Sequence, residues 1–317
     1  MPKTSTQAAD TVPDAAWYAG LDLGGTNIRA VEVDASGQTG TLLSEPLDRR
    51  STTPFQQVIE LVDRLVAHRG GRLPVAVGLG ATGPVDVLRG TIDNPFTLPP
   101  AFQGDVRSAV QAALGVPLVL ENDANAAAVG EAWLGAGRGA QVLACLTVGT
   151  GIGFAVLRDG QVLRGPGGSH LEGGHQVIDP AGPLCYCGAR GCVESLASAT
   201  AVLAAAQATG AAGTRATARD VYLAAERGDP RSQEVTRRAA AALAAAVRNV
   251  VALHGADRVV LAGGALGDVP SLLRQVRQCV DDFPFGPPGG TRVVPAELGD
   301  RAGCIGAARR AQEAVPA

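Results

Sequence analysis

Leu21-Asp22-Leu23-Gly24-Gly25-Thr26 and Leu146-Thr147-Val148-Gly149-Thr150-Gly151 are one pattern written twice. Each is the end of an apolar run, Trp17 to Leu23 and Val142 to Val148, closed by a glycine-rich turn. A second run follows each turn, Ile28 to Asp34 and Ile152 to Leu157. Short apolar runs bounded by glycine read as strands joined in hairpins. Two such hairpins suggest two related α/β halves facing one another. The competing explanation is chance, since glycine is the default turn residue.

Further along the first half, Ala35-Ser36-Gly37 turns the chain into another strand. Pro54 to His68 carries Phe55, Val58, Ile59, Leu61, Val62, Leu65 and Val66 at helical spacing. Leu73 to Leu79 reads as a buried strand ending in Gly80-Ala81-Thr82-Gly83-Pro84. Phe102 to Leu114 reads as a helix closed by Gly115, and Val116 to Leu120 as a strand running into Glu121-Asn122-Asp123. In the second half Asp159-Gly160 reads as a hairpin turn. Helices are expected over Ala201 to Gln207, Ala218 to Arg227 and Ser232 to Leu253. A strand over Arg258 to Ala262 ends in Gly263-Gly264. A helix from Pro270 to Val280, a strand from Arg292 to Pro295 and a helix from Ala302 to Ala314 close the chain.

Composition excludes several functions. At 317 residues the chain suits about two domains. It has no stretch of about 18 apolar residues, so no membrane span is expected. The polar stretch from Met1 to Ala16 lacks the apolar centre of a signal peptide; it reads as a tail, and the protein as cytoplasmic. A net charge of −3 gives no broad pull toward nucleic acid. The sole lysine is Lys3, so a P-loop, which needs Gly-Lys-Ser/Thr, is absent.

The richest local chemistry lies in Glu172-Gly173-Gly174-His175 and Cys185-Tyr186-Cys187-Gly188-Ala189-Arg190-Gly191-Cys192-Val193-Glu194. His175, Cys185, Cys187 and Cys192 make a ligand set for a closed, four-coordinate structural zinc site. A disulfide is the rival reading, disfavoured without signs of secretion. Cys145, Cys279 and Cys304 stand among apolar or small residues and read as core. Glu172, His175 and Glu194 suit a polyol, because carboxylates accept from vicinal hydroxyls and zinc-bound imidazole has a second nitrogen free. His170 reads as solvent-facing, and His68 and His254 as helix ends.

The glycine turns carry a phosphate reading beside the plain hairpin one. Gly24, Gly25, Thr26 and Asn27 would let backbone N–H groups approach phosphate oxygens, with Asp22 placed to hold magnesium through water. Gly149, Thr150 and Gly151 could grip the phosphates from the other side, and Gly263 and Gly264 could let a nucleoside lie on the backbone. Asp123 follows a strand, where ligands meet an α/β sheet, and could accept a hydroxyl proton in phosphoryl transfer. Helix N-capping by Asn122 or Asp123 is the simpler alternative.

Together these motifs resemble the ROK family of bacterial sugar kinases and regulators, from about Tyr18 to the last helix. The resemblance rests on Leu21 to Asn27, Glu121-Asn122-Asp123-Ala124-Asn125, Gly149-Thr150-Gly151, Glu172-x-x-His175 and the Cys185 to Glu194 loop. It implies an α/β, actin-like (ribonuclease H-like) two-domain ATPase fold with an interdomain cleft that closes on ATP and sugar. The domains would be 17–121, joined by a closing helix 303–317, and 122–302 with a zinc loop 172–194. It implies Asp123 as base, Gly83, Asn122, Glu172, His175 and Glu194 at the sugar, and His175, Cys185, Cys187 and Cys192 on zinc. The expected activity is an ATP- and Mg2+-dependent hexose kinase, glucokinase foremost, in a homodimer or homotetramer. The alternatives are N-acetylhexosamine, mannose or fructose kinases, a polyphosphate-dependent glucokinase, a silent sensor, or a sugar-sensing repressor. The repressor would need a helix-turn-helix ahead of the first strand, which Met1 to Ala16 is too short to form. Phe154, Thr82 and the stretch Asn94 to Pro99 depart from the family pattern and bear on which hexose is used.

Overall fold

The computed structural model describes residues 16–263, 270–281 and 283–315. Alternation along its first strand decides the layering. In β1 (Trp17–Leu23), Trp17, Ala19, Leu21 and Leu23 enter one apolar cluster, while Tyr18 enters another on the opposite face. That is the period of a strand covered on both sides. β1 pairs antiparallel with β2 (Asn27–Asp34), and β2 with β3 (Thr39–Pro46). Helix α1 (Gln56–His68) returns the chain to β4 (Val77–Ala81), parallel to β1. A small sheet of β5 (Val85–Asp86), β6 (Thr91–Ile92) and β7 (Gly104–Asp105) precedes α2 (Val106–Leu114). β8 (Leu118–Asn122) pairs parallel with β4 and completes the order β3-β2-β1-β4-β8.

Helix α3 (Asp123–Leu134) leads to the second half. There β9 (Val142–Val148) and β10 (Ile152–Arg158) form a hairpin, extended by β11 (Gln161–Val162). A long loop reaches α4 (Val193–Ala197), α5 (Ala199–Ala208), α6 (Ala218–Glu226) and α7 (Pro230–His254). Then come β12 (Arg258–Ala262), α8 (Pro270–Asp281), β13 (Arg292–Pro295) and α9 (Ala302–Ala314). The second sheet runs β11-β10-β9-β12-β13, with β12 parallel to β9 and β13 parallel to β12. Strand for strand this is the order of the first sheet, so the repeat seen in sequence is a repeat of topology.

Five layers result. α1 and α2 cover the outer face of the first sheet, and α4 to α8 that of the second. Between the sheets lie α9, packed on β1 and β4, and α3, packed on α9 and on β9 and β10. Glycine permits that contact: a Cβ on Gly20 would lie 2.0 Å from the Cys304 carbonyl oxygen, and one on Gly78 1.9 Å from that of Ala307. Cys145 and Cys304 are core residues as expected. No helix among the described residues is long and apolar enough to cross a membrane.

Several expected boundaries moved. β4 starts at Val77 rather than Leu73, after the donor-less Pro74. The helix expected from Phe102 starts at Val106, because the Asp105 carboxylate accepts from the Ser108 N–H at 2.9 Å and sets the cap. The two-residue strands of the small sheet carry no periodic signal and were not anticipated. The expected tail and Gly264 lie outside the described residues, apart from Ala16 at the tail's end.

Candidate active site

The candidate residues meet at the carboxyl edge of the first sheet. Register places Leu23, Ala81 and Asn122 side by side on β1, β4 and β8. The next residues, Gly24, Thr82 and Asp123, therefore leave the sheet together, where ligands meet parallel strands. One step back, Asp22, Gly80 and Glu121 form a row. Gly80 leaves room there for α3, since its Cβ would lie 3.0 Å from that of Ala126.

Asn122 and Asp123 divide the two duties weighed for them. Asn122 is the N-cap of α3, its Oδ1 accepting from Asn125 N–H at 3.1 Å. Asp123 is the first helical residue; its Oδ1 accepts from Ala124 N–H at 2.8 Å and from Asn122 Nδ2 at 3.0 Å. Burial raises the Asp123 carboxyl above its ordinary value, opposed by the Ala124 hydrogen bond and by His170, and reinforced by Glu172. Asp22, behind the first turn, is raised to about 7 by burial and by Asp123, against the pull of Arg29. Its Oδ2 lies 3.5 Å from Arg29.

His170 is a correction. Its side chain is only 12 % exposed. It faces Gly83, whose Cβ would lie 2.9 Å from His170 Nε2 and 3.5 Å from Asn122 Nδ2. His170 Nε2 also meets Glu172 Oε1 at 2.8 Å. That hydrogen bond holds the Glu172 carboxyl below its usual value and the His170 imidazole above its own. The bonded His170–Glu172 pair thus stands near Asp123, acting on its carboxyl in opposite senses. The sequence signal was present: His170 lies two residues from Glu172.

The second turn has the same position on its own sheet. Gly149 N–H donates to Gly151 O at 2.9 Å, as Gly24 N–H does to Asn27 O at 3.0 Å. Gly263, at φ 131°, lies against the end of β9, where a Cβ would sit 2.0 Å from Val148 O. Glu194 Oε2 accepts from Ile152 N–H at 2.7 Å, so this carboxylate is fixed beside the Thr150-Gly151 turn. Phe154 fills the space under Gly173, where a Cβ would meet its ring at 2.3 Å.

His175, Cys185, Cys187 and Cys192 converge, their ligand atoms all within 4.8 Å of one another. Cys187 and Cys192 Sγ are 3.6 Å apart, and Cys185 Sγ and His175 Nδ1 3.5 Å. A tetrahedron with ~2.3 Å Zn–S and ~2.0 Å Zn–N bonds has edges of roughly 3.5–3.8 Å, so the donor set fits zinc. The remaining nitrogen, His175 Nε2, is not free: the Tyr186 hydroxyl lies 3.0 Å from it.

Three residues here have roles that the sequence did not assign: Arg49, which it passed over, and Asn94 and Glu121, which it quoted only within longer stretches. Arg49 Nη2 donates to Gly25 O at 2.5 Å and to Thr97 O at 3.2 Å, bracing the first turn against the Asn94 to Pro99 loop. Within that loop the buried Asn94 donates through Nδ2 to Thr82 O at 3.2 Å and Thr97 Oγ1 at 2.7 Å. Glu121, 1 % exposed, meets Arg164. Apart from the local Asn94–Thr97 bond, these contacts join residues distant in sequence.

Two sheets of identical order, with helices between and outside them and a polar site at their strand ends, define the actin-like two-domain fold. The chain belongs to the ROK family, which it matches over residues 18–314. It is 33% identical over 318 residues to a glucokinase of Streptomyces coelicolor, covering 94% of this chain and 98% of that protein. It is 32% identical over 301 residues to an N-acetylmannosamine kinase of Escherichia coli O139:H28, covering 92% and 97%. Its structure matches a ROK hexokinase from Thermus thermophilus with a TM-score of 0.81, at 34% identity, over 94% of this chain and 99% of that one. It matches a ROK family glucokinase from Streptomyces griseus, solved in complex with glucose and AMPPNP, with a TM-score of 0.76 at 29% identity, covering 94% and 100%.

Proposed function

We propose that this protein is an ATP-dependent hexose kinase, a glucokinase, that phosphorylates the 6-hydroxyl of glucose. The observation that carries the reading is the meeting of Gly24, Gly83, Asp123 and the His170–Glu172 pair at one sheet edge. Asp123 accepts the proton of the hydroxyl as its oxygen attacks the γ-phosphorus and ADP leaves. A carboxyl raised by burial suits that duty, since it holds a proton more tightly than an ordinary carboxylate.

Asn122, Gly83, Glu172, His175 and Glu194 line the sugar side. His175 can offer Nε2 to a hydroxyl only in competition with Tyr186. Gly24, Gly25, Thr26 and Asn27 take the phosphates from one side and Gly149, Thr150 and Gly151 from the other, with Gly263 and Gly264 beneath the nucleoside. Asp22 is the residue to hold Mg2+, which when bound neutralises phosphate charge. Zinc on His175, Cys185, Cys187 and Cys192 is structural: it fixes the loop from which Glu172 and Glu194 project. The division into 17–121 with 303–317, and 122–302, belongs to the same proposal, supported by α9 packing on β1 and β4. A homodimer or homotetramer acting in the cytoplasm, where ATP is available, completes it.

The second reading is an N-acetylmannosamine kinase, favoured by the Escherichia coli relative at 32% identity. A coupled ADP-release assay with ATP and Mg2+ separates the two, run across glucose, mannose, fructose, N-acetylglucosamine and N-acetylmannosamine. Glucose is expected to give the largest kcat/KM. Preference for an N-acetylated sugar would replace the substrate, and silence on every sugar would overturn the kinase reading with ATP as donor.

A further inference from the structure

We propose that Glu121 is a positioning residue that sets the loop 163–172, through Arg164, against the turn carrying Asn122 and Asp123. The proposal rests on the kinase reading and names a residue for it beyond those above. The two oxygens of this buried carboxylate do different jobs. Oε1 accepts from Asn122 N–H at 2.9 Å and from Asn125 Nδ2 at 3.1 Å, which pins the first turn of α3. Oε2 pairs with the Arg164 guanidinium and lies 3.3 Å from Arg310 Nε on α9.

Arg164 opens the loop that follows β11, and its Nη1 donates to Gly168 O at 3.4 Å within that loop. Two residues beyond Gly168 stands His170, packed on Gly83 and bonded to Glu172. The loop is therefore held at two points, by Arg164 on Glu121 and by His170 against Gly83. The first point falls on the segment that carries the base, and the second just past the end of β4, the strand paired with β8. Glu131 shows what a purely architectural buried carboxylate looks like in this chain. It accepts from the N–H groups of Ala136, Glu297 and Leu298 at 2.8, 3.2 and 2.9 Å, all of them in loops beyond the C-terminal end of α3 or ahead of α9. Glu121 instead joins the catalytic turn to the loop 163–172 through a charge-assisted pair, the stronger kind of hydrogen bond.

Glu121→Gln keeps an acceptor for Asn122 N–H and Asn125 but turns an amide toward two guanidinium groups. Arg164→Gln cuts the same link from the other side and leaves Glu121 paired with Arg310. Steady-state kinetics and glucose calorimetry are run on the full chain for wild type, both single variants and the double variant. Each single variant is expected to raise glucose Kd and KM by about tenfold, the worth of one charged hydrogen bond. KM for ATP should stay within about twofold, and the double variant should lose no more than the worse single, because the two sites are coupled. A folded Arg164→Gln that binds glucose as wild type does, or losses that add in the double variant, would overturn the inference. Should Glu121→Gln fail to fold, Arg164→Gln decides alone. A wild type that neither binds nor phosphorylates any hexose overturns the kinase reading and this inference with it; wild-type binding with Arg164→Gln unchanged overturns the inference only.

Discussion

Replacing Gly306 with alanine should destabilise the protein and impair its chemistry together. Gly306 lies on α9 where that helix crosses α3; a Cβ there would stand 1.7 Å from Ala126 O, 2.6 Å from Ala126 C and 2.7 Å from Gly130 N. Even close Cα–H···O contacts keep about 3.3 Å, so the helices must part by roughly 1.5 Å. The obstructing atoms are backbone and cannot rotate away. Overpacking costs about 1–3 kcal/mol, occasionally more, and this site belongs at the upper end. Alanine returns about 1 kcal/mol of helix propensity, which leaves a net loss of about 2 kcal/mol. At roughly 1.5 °C per kcal/mol for a chain of 317 residues, Tm should fall by about 3 °C. Because α3 begins at Asp123, its displacement should lower kcat more than it raises KM for glucose. Thermal denaturation and steady-state kinetics read both effects. Gly213, with nothing within 4 Å of its Cβ position, is the control, and Gly213→Ala should stay within about 0.5 kcal/mol of wild type. A Gly306→Ala protein that melts with wild type would refute the tight backbone crossing.

Zinc removal by a strong chelator should lower Tm and glucose affinity together, with no rescue by Mg2+; a chelated protein that keeps both properties would contradict a structural metal. Asp22 makes the ligand-free protein less stable as pH rises. Its carboxyl is raised from 3.8 to about 7 in the folded chain, so between those values the folded state holds a proton that the unfolded state has released. Melting in Mg2+-free buffer should therefore show stability draining away across that window, and Asp22→Asn should flatten the slope; an unchanged slope would count against the assignment. Glu131→Ala should destabilise by several kcal/mol, because three loop N–H groups lose their acceptor. A melting curve within a degree of wild type would contradict that account.

The sequence made the repeated hairpins legible because short apolar runs ending in a glycine-rich turn are a strong local signal, and β1 and β9 appear where those runs lie. The metal ligands were legible for a similar reason, since spacing within one loop brings them together. Boundaries set by one side chain were not: Asp105 moved the start of α2 by capping it. The misreading of His170 has a tertiary cause, as its neighbour Gly83 is far away in sequence. Glu121 was quoted within a motif but gained a role only when Arg164 and Arg310 arrived from other elements. Tyr186 was quoted within the cysteine loop with no role of its own, whereas its hydroxyl meets the nitrogen thought free on His175.

The most direct test of phosphoryl transfer through Asp123 is the turnover of Asp123→Ala with glucose, ATP and Mg2+, alongside glucose calorimetry on the same protein. Loss of a general base predicts a fall in kcat of about 10²–10⁴, with glucose Kd close to that of wild type. Turnover equal to wild type would contradict the account at its centre.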